Sequence, residues 1–138
     1  MRLPLPEPGL VFRYDFLWSR EARKGRDTGK ERPACLVATI DDEADPLFVV
    51  ILPITHTPPG AGVVAVEIPP KVRAFLGLDK EPCWVIVSEY NVDEWPPPGM
   101  GRAGQGFAYG FVPEALLNVV KKRFLDAVRS GRARGVQR

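Results

Sequence analysis

Hydrophobic and polar positions alternate along much of this chain, a pattern that is typical of β-strands. From Leu10 to Trp18, aromatic side chains take every second position, and Arg13 and Asp15 lie between them. This two-residue period predicts a strand with one aromatic side facing the core. Pro33–Ile40 is a second predicted strand. Leu47–Ile54 is apolar without interruption, as expected of a central strand buried on both faces.

The second half of the chain contains further predicted elements. Pro113 at a first helical position, followed by apolar residues at helical spacing, predicts a helix over Glu114–Ser130 that ends at Gly131. In the first half, Ser19–Glu31 is rich in Gly, Arg, Lys and Asp, which predicts a long loop. The remaining predictions are strands over Val63–Ile68, Cys83–Asn91 and Phe107–Val112 and a short helix over Pro69–Leu78. The predicted apolar face of the long helix consists of Leu116, Leu117, Val120, Phe124 and Val128.

This set of elements predicts a mainly β protein. Five or six short strands with a terminal helix, and no helical crossover between strands, favour a small, strongly bent antiparallel barrel. A chain of 138 residues that is 45% hydrophobic suffices for a single core. We therefore assign residues 1–130 to one domain and residues 131–138 to a basic C-terminal tail.

The basic charge is concentrated in two segments, although the net charge is only +2. Residues 19–32 carry six basic and three acidic side chains, and residues 121–138 carry seven basic and one acidic. Residues 33–120 carry four basic and eleven acidic side chains. Segregation of this kind indicates a polyanionic partner such as a nucleic acid.

The cysteines and the absence of a long apolar run predict a soluble cytoplasmic protein. Cys35 and Cys83 lie in separate apolar runs and form no CxxC pair, which favours buried free thiols in a reducing compartment. No run approaches the roughly 20 apolar residues of a membrane span. No cofactor or metal site is expected, because the acidic residues within 41–45 are typical of a solvated turn.

Polar residues stand at one end of three of the predicted strands. Arg32 precedes the second strand, Thr55 and His56 follow the third, and Glu89 and Asn91 end the strand that begins at Cys83. A small β-barrel brings strand ends together around a cleft, so we expect these side chains to share one site.

Several motifs follow one another in a fixed order along the chain. Arg32-Pro-Ala precedes one strand and Pro-Ile-Thr55 follows the next. The other motifs are Gly9-Leu-Val, the Arg/Gly-rich loop ending in Gly29-Lys-Glu, a later strand with an acidic end, and a Pro-led helix. This order resembles the MazF/PemK family of toxin–antitoxin ribonucleases over roughly Pro8 to Val128, and the first pair of motifs carries most of the likeness. This resemblance implies an SH3-like barrel that forms a cytoplasmic homodimer. It also implies metal-independent cleavage of single-stranded RNA, often messenger RNA, and inhibition by a cognate antitoxin.

The resemblance also assigns roles to residues. Arg32 matches the catalytic arginine of the family and Thr55 its active-site threonine. Asp27 falls near an acidic loop position, and Glu89 near an acidic residue that some members use as a base. The loop here reads Arg-Asp-Thr-Gly-Lys-Glu-Arg rather than the common Gly-Ser-Glu-Gln-x-Gly-x-Arg.

RNA cleavage through the 2′-hydroxyl requires a base, a proton donor for the 5′-oxygen and positive charge at the phosphorane. Arg32 supplies charge and a bidentate donor, and Thr55 supplies a hydroxyl for a phosphate oxygen. His56, Asp27 and Glu89 are the candidate bases, between which periodicity does not choose. The expected substrate-binding residues are Arg23, Lys24, Arg26, Lys30 and Asn91.

Other interpretations of the same residues remain open. Arg32 can be an ion-pair partner of Glu31, Thr55 a turn hydroxyl, and His56 a capped loop residue. The whole chain can also be a non-enzymatic toxin resembling the gyrase-poisoning CcdB group, or a degenerate barrel that only binds RNA or protein. The fold does not separate these classes, because function resides in the site.

Overall fold

The computed structural model of the chain describes residues 3–103 and 106–138, which form eight strands and three helices. The strands are β1 (Leu10–Phe16), β2 (Lys30–Ile40), β3 (Phe48–Thr55), β4 (Ala65–Glu67), β5 (Trp84–Ile86), β6 (Glu89–Glu94), β7 (Ala108–Phe111) and β8 (Arg134–Gln137). The helices are α1 (Ser19–Arg23), α2 (Pro70–Leu76) and α3 (Glu114–Arg129).

All eight strands belong to one connected sheet. Its main path runs β4-β5-β3-β2-β1-β7, while β6 pairs with β3 and β8 pairs with β6. Every pairing is antiparallel except that of β6 with β8. The prediction of a mainly β, largely antiparallel protein with a C-terminal helix is confirmed. The sheet does not close on itself, so a closed barrel is not formed.

The central strands are covered on both faces. Alternation along β1 places Phe12, Tyr14 and Phe16 on one face, where all three are fully buried in an aromatic cluster. Val11 and the β2 residue Cys35 belong to a second cluster on the other face, against which α3 packs. Each large side chain of this kind contributes about 1.5–3 kcal/mol by leaving water. The aromatic stripe in the sequence therefore marks a core face, as predicted.

The strand predicted over Cys83–Asn91 is two strands. The chain bends at Val87 and Ser88, where the Ser88 hydroxyl accepts a hydrogen bond from the Val64 backbone N–H at 3.0 Å. Strand β5 pairs with β4 and the end of β3, whereas β6 pairs with the beginning of β3. The apolar run continues through the bend because both of its arms are buried, so hydrophobicity alone did not show the break.

The predicted loop over Ser19–Glu31 is partly ordered. Helix α1 occupies its first five residues, and the Glu21 carboxylate accepts a hydrogen bond from the Trp18 backbone N–H at 3.2 Å, as in a capped first turn. At the other end, β2 begins at Lys30 rather than Pro33, because Lys30 pairs with Phe16 across β1. Pairing with β1 extends the strand through residues whose polarity indicated a loop.

Residues 131–138, predicted as a tail outside the domain, contain β8 and are part of the sheet. Arg134 stands opposite Glu89 in the parallel pairing with β6, and a side chain at Gly135 would overlap the ring of Tyr90. The Arg138 guanidinium donates hydrogen bonds to the Tyr14 hydroxyl, the Asp15 and Asp27 carbonyls, and Asn91 Oδ1. A mostly polar segment thus forms an edge strand, and the side chain of Arg138, directly after the strand, fixes it to the sheet.

Helix α3 packs with a slightly different face from the predicted one. Val120 and Phe124 are buried as expected, but Val128 is 44% exposed and Ala127 is buried instead. No helix among the described residues is long and apolar enough to cross a membrane.

Candidate functional site

Two adjoining cavities share Arg32 and Thr55. The first has a volume of about 330 Å³, and we call it the arginine cavity. Its charged and aromatic lining residues are four arginines, one glutamate and one tryptophan. The second, of about 300 Å³, contains the only histidine of the chain and is called the histidine cavity. The arginine cavity is lined by Trp18, Arg20, Arg32, Thr55, Glu89, Arg132 and Arg134, and the histidine cavity by Arg13, Lys30, Glu31, Arg32, Thr55, His56 and Asp79, among others.

Strand register explains why Arg32 and Thr55 meet. Strands β2 and β3 are antiparallel, and Ala34 pairs with Pro53. Arg32 and Thr55 lie two residues farther out on their strands, so both reach the same end of the sheet. The predicted meeting of these two strand ends is therefore present in the fold.

Arg32 is half-buried and has no ion pair with any residue that the structure describes. Its Nε is buried without a hydrogen-bond partner among those residues, and burial lowers the pKa of its guanidinium. Glu31, the ion-pair partner considered from the sequence, contacts Arg13 instead. Arginine still remains charged at neutral pH, so Arg32 presents unsatisfied donors to an incoming anion.

Trp18 holds Arg32 from one side. The Arg32 Cζ lies 5.3 Å from the centroid of the Trp18 ring, and the Arg20 Cζ lies 5.4 Å from it. Trp18 also packs edge-to-face on Phe16, with ring centroids 5.2 Å apart. Cation–π contact of this kind is worth roughly 0.5–2 kcal/mol and orients guanidinium groups without neutralising them. Neither Trp18 nor Arg20 was predicted as a site residue, although the aromatic stripe that ends at Trp18 marked the place.

The Thr55 hydroxyl accepts a hydrogen bond in the turn after β3 and can still donate one. Its Oγ1 accepts a hydrogen bond from the Thr57 backbone N–H at 3.1 Å, which is the turn contact considered from the sequence. A hydroxyl that accepts one hydrogen bond keeps its own hydrogen for donation. Thr55 is thus available to donate to an oxygen placed between the two cavities.

Glu89 lies in the arginine cavity and is fixed by the start of α1. Its Oε1 accepts a hydrogen bond from the Ser19 backbone N–H at 2.8 Å, and its Oε2 accepts one from the Ser19 hydroxyl at 2.6 Å. Each carboxylate oxygen has further lone pairs, so Glu89 remains able to accept a proton.

His56 lies in the histidine cavity, on the other side of Arg32 and Thr55. Its Nδ1 is 3.0 Å from the Pro82 carbonyl oxygen, a contact that requires a proton on Nδ1 and leaves Nε2 as the basic nitrogen of the neutral ring. Nε2 lies 3.6 Å from Asp79 Oδ2. His56, Asp79 and Glu81 place ligand atoms within 4.8 Å of one another, a set able to hold a metal ion, but all three side chains are exposed.

Two other predicted site residues lie away from both cavities. Asp27 is exposed, and its backbone carbonyl accepts a hydrogen bond from Arg138 at 3.1 Å. Asn91, predicted to bind substrate, is fully buried. Its Oδ1 accepts from the Leu17 N–H at 3.0 Å and its Nδ2 donates to the Leu17 carbonyl at 2.7 Å. The structure thus gives Asn91 a structural place in the sheet, because its side chain points to the interior.

The predicted basic residues divide between the two cavities and the surface. Lys30 lines the histidine cavity. Arg23, Lys24 and Arg26 are exposed beside or after α1 and line neither cavity, and Arg26 pairs with Glu21 at 3.3 Å. Arg132 and Arg134 line the arginine cavity but were assigned to the tail. The concentration of basic charge in residues 121–138 was the signal for them, and only the pairing of β8 shows where they lie.

Comparison with models of protein families, with curated proteins and with solved structures gives no match to this chain. The fold and the site define a mainly β protein with an arginine-lined cavity suited to an anionic ligand.

Proposed function

We propose that this chain is a metal-independent endoribonuclease that cleaves single-stranded RNA, acting as the toxin of a type II toxin–antitoxin pair. One observation supports this most strongly: Arg32, half-buried and without an ion pair in the described structure, lies beside Thr55 at the junction of two cavities. The MazF/PemK resemblance, with an SH3-like barrel, agrees with this arrangement.

The scissile phosphate would lie at this junction. Arg32 donates two hydrogen bonds to non-bridging oxygens and stabilises the charge of the phosphorane, while Thr55 donates a third. A base takes the proton of the 2′-hydroxyl, and O2′ attacks phosphorus. The 5′-oxygen then leaves with a proton from an acid, which yields a 2′,3′-cyclic phosphate and a 5′-hydroxyl.

Glu89 and His56 would share the proton transfers, one acting without its proton as the base and the other with its proton as the acid. They line different cavities on the two sides of Arg32 and Thr55. One can therefore take the 2′-hydroxyl proton while the other supplies the proton for the leaving oxygen. Asp27 is exposed and lies outside both cavities, so its assignment as the base has the least structural support of the three.

Cleavage of varied single-stranded RNAs in EDTA, with analysis of the new ends, tests the proposal. We expect cyclic or 3′-phosphate ends and 5′-hydroxyl ends. Arg32→Ala should lower the rate about 10²–10³-fold, the usual effect of removing one transition-state donor. Arg129→Ala is the matched control, since Arg129 is exposed and lines neither cavity. Intact RNA throughout, or cleavage that requires magnesium, would contradict the proposal.

The proposed partners are a second copy of the chain and an acidic antitoxin. Uncompensated arginines around the site would attract an acidic, partly disordered segment that competes with RNA. Expression of the chain alone should stop growth, co-expression of the antitoxin should restore it, and solution scattering should show a dimer at micromolar concentration. Normal growth together with a monomer would favour a protein that only binds its ligand.

A further inference from the structure

We propose that Arg132 and Arg134 form a second phosphate subsite in the arginine cavity, which holds the RNA phosphate adjacent to the scissile one. The assignment of the scissile phosphate to Arg32 and Thr55 rests on the proposed function. The second subsite itself rests on the charge, composition and construction of the arginine cavity.

The two cavities differ in how far their charges are compensated. In the histidine cavity, Arg13 is hydrogen-bonded to Glu31, and His56 lies near Asp79. The arginine cavity has four guanidinium groups and one lining carboxylate, Glu89, whose oxygens already accept hydrogen bonds from Ser19. Within the described structure, Arg132 and Arg134 form no ion pair. Because Arg132 and Arg134 are exposed, this excess of positive charge is accessible to an anionic ligand and favours its binding.

The two arginines reach the cavity from other elements of the fold than Arg32 does. Arg132 follows α3 and Arg134 begins β8, whereas Arg32 lies near the start of β2, as its third residue. The Arg134 backbone N–H donates to the Ser88 carbonyl at 3.0 Å, and Arg134 stands opposite Glu89 in the sheet. A strand paired in this way presents its side chain from a fixed backbone. One anionic group at Arg32 and a second at Arg132 and Arg134 can therefore be held at the same time.

The size and lining of the cavity favour a nucleotide over an acidic peptide or a free anion. A volume of about 330 Å³ suits a small ligand unit rather than a protein segment with its own secondary structure. Arg20 and Arg32 lie over the Trp18 ring, and planar guanidinium groups, like aromatic rings, stack on the bases of single-stranded nucleic acid while other arginines contact its phosphates. An isolated phosphate or carboxylate makes no use of such a planar surface.

Binding of short oligonucleotides that resist cleavage tests the subsite separately from catalysis. The probes are 2′-O-methyl dinucleotides with no terminal phosphate, a 5′-phosphate or a 3′-phosphate, because methylation removes the attacking hydroxyl. We expect one of the two terminal phosphates to tighten binding about tenfold or more, as charge-assisted hydrogen bonds do. NMR titration of the native protein measures each affinity.

The double variant Arg132→Gln/Arg134→Gln should lose this gain, while its affinity for the dinucleotide without a terminal phosphate changes little. The double variant Arg123→Gln/Arg129→Gln removes an equal charge from α3 and, because neither residue lines either cavity, should keep the gain. Circular dichroism and thermal unfolding check that the exposed substitutions leave the fold intact. Inorganic phosphate and an Asp/Glu-rich peptide serve as competitors.

Each outcome decides for or against the subsite. An undiminished gain in the double variant, or no gain from either phosphate in the native protein, overturns it. Tight binding of the peptide without binding of any dinucleotide, or inorganic phosphate that competes as well as the phosphorylated dinucleotides, also overturns it. Phosphate-dependent binding by a protein that never cleaves RNA supports the subsite and refutes only the proposed enzyme activity.

Discussion

Arg32 shows how burial and charge combine at a single residue. Its guanidinium has lost part of its hydration, which lowers its pKa, and the nearby charge of Glu21 offsets only part of this effect because no carboxylate in the described structure forms an ion pair with Arg32. Stacking on Trp18 compensates for only part of this cost. An anion that reaches Arg32 therefore accepts hydrogen bonds from guanidinium donors that have no partner in the described structure.

Substitution of Asn91 distinguishes a structural role from a substrate-binding role. A structural role predicts a loss of stability, and a substrate-binding role predicts a loss of RNA binding at native stability. Asn91→Ala leaves the Leu17 N–H and carbonyl without their side-chain partners, so we expect a loss of about 2–4 kcal/mol in the free energy of unfolding. Asn118→Ala, on the exposed side of α3, should change it by less than about 0.5 kcal/mol. Urea unfolding measures both. Native stability with weakened RNA binding in Asn91→Ala would restore the substrate role.

Strand-end position identified Arg32, Thr55 and Glu89 as residues around one cavity, but it misplaced Asn91. Both kinds of residue look alike in the sequence, as polar groups at the edge of an apolar run. The difference depends on which neighbours fill the space beside them. The Leu17 backbone meets Asn91, whereas the side chain of Arg32 projects between two cavities.

At the scale of elements, the sequence predicted neither α1 nor β8, and β8 has the greater effect on the site. Its residues alternate weakly and include Gly135, and no local pattern distinguishes them from a solvated tail. The strand forms because Arg138 reaches the Tyr14 hydroxyl and the backbone of β1, and because Gly135 lets Tyr90 lie against β8. The alternating β1 and the continuously apolar β3 were predicted well, as was β2 from Pro33 onward, since the apolar residues of these strands form the core.

Arg138→Gln should loosen β8 without unfolding the sheet. The substitution removes the charge and most of the four side-chain contacts, so we expect amide protection along Arg134–Gln137 to fall and stability to drop by about 1–3 kcal/mol. Hydrogen exchange followed by mass spectrometry measures the protection. Gln137→Ala, an exposed neighbour, is the control. Equal protection in the native and Arg138→Gln proteins would show that backbone pairing alone holds the strand.

At the scale of the whole molecule, burial of both faces of the central strands makes stability sensitive to alkaline pH. Burial raises the pKa of the Cys35 thiol on one face from 9.0 to about 12, and burial with a hydrogen bond to Asp93 raises the pKa of the Tyr14 hydroxyl on the other. The folded chain holds these protons to higher pH than the unfolded chain does. Unfolding therefore releases protons above pH 9, and rising pH favours it.

The contribution of these two groups to the free energy of unfolding should be constant below pH 9 and should fall between pH 9 and 12. One group contributes a slope of up to about 1.4 kcal/mol per pH unit. Cys35→Ala should remove one such contribution and flatten the curve. Val37→Ala, which also truncates a buried side chain of β2, should lower stability equally at each pH. Urea titrations across this range measure both curves, and parallel curves for Cys35→Ala and the native chain would exclude Cys35 as a source.

The arginine cavity draws its side chains from opposite ends of the polypeptide, with Arg20 and Arg32 on one side and Arg132 and Arg134 on the other. During synthesis the N-terminal part of a protein emerges from the ribosome and begins to fold first. A nascent chain can thus pair β1 with β2 and β3 while the cavity still lacks half of its arginines. Translation that stops before residue 132 would release a polypeptide without the complete charged site. The arginine cavity is therefore complete only once β8 has been synthesised and has paired with the sheet.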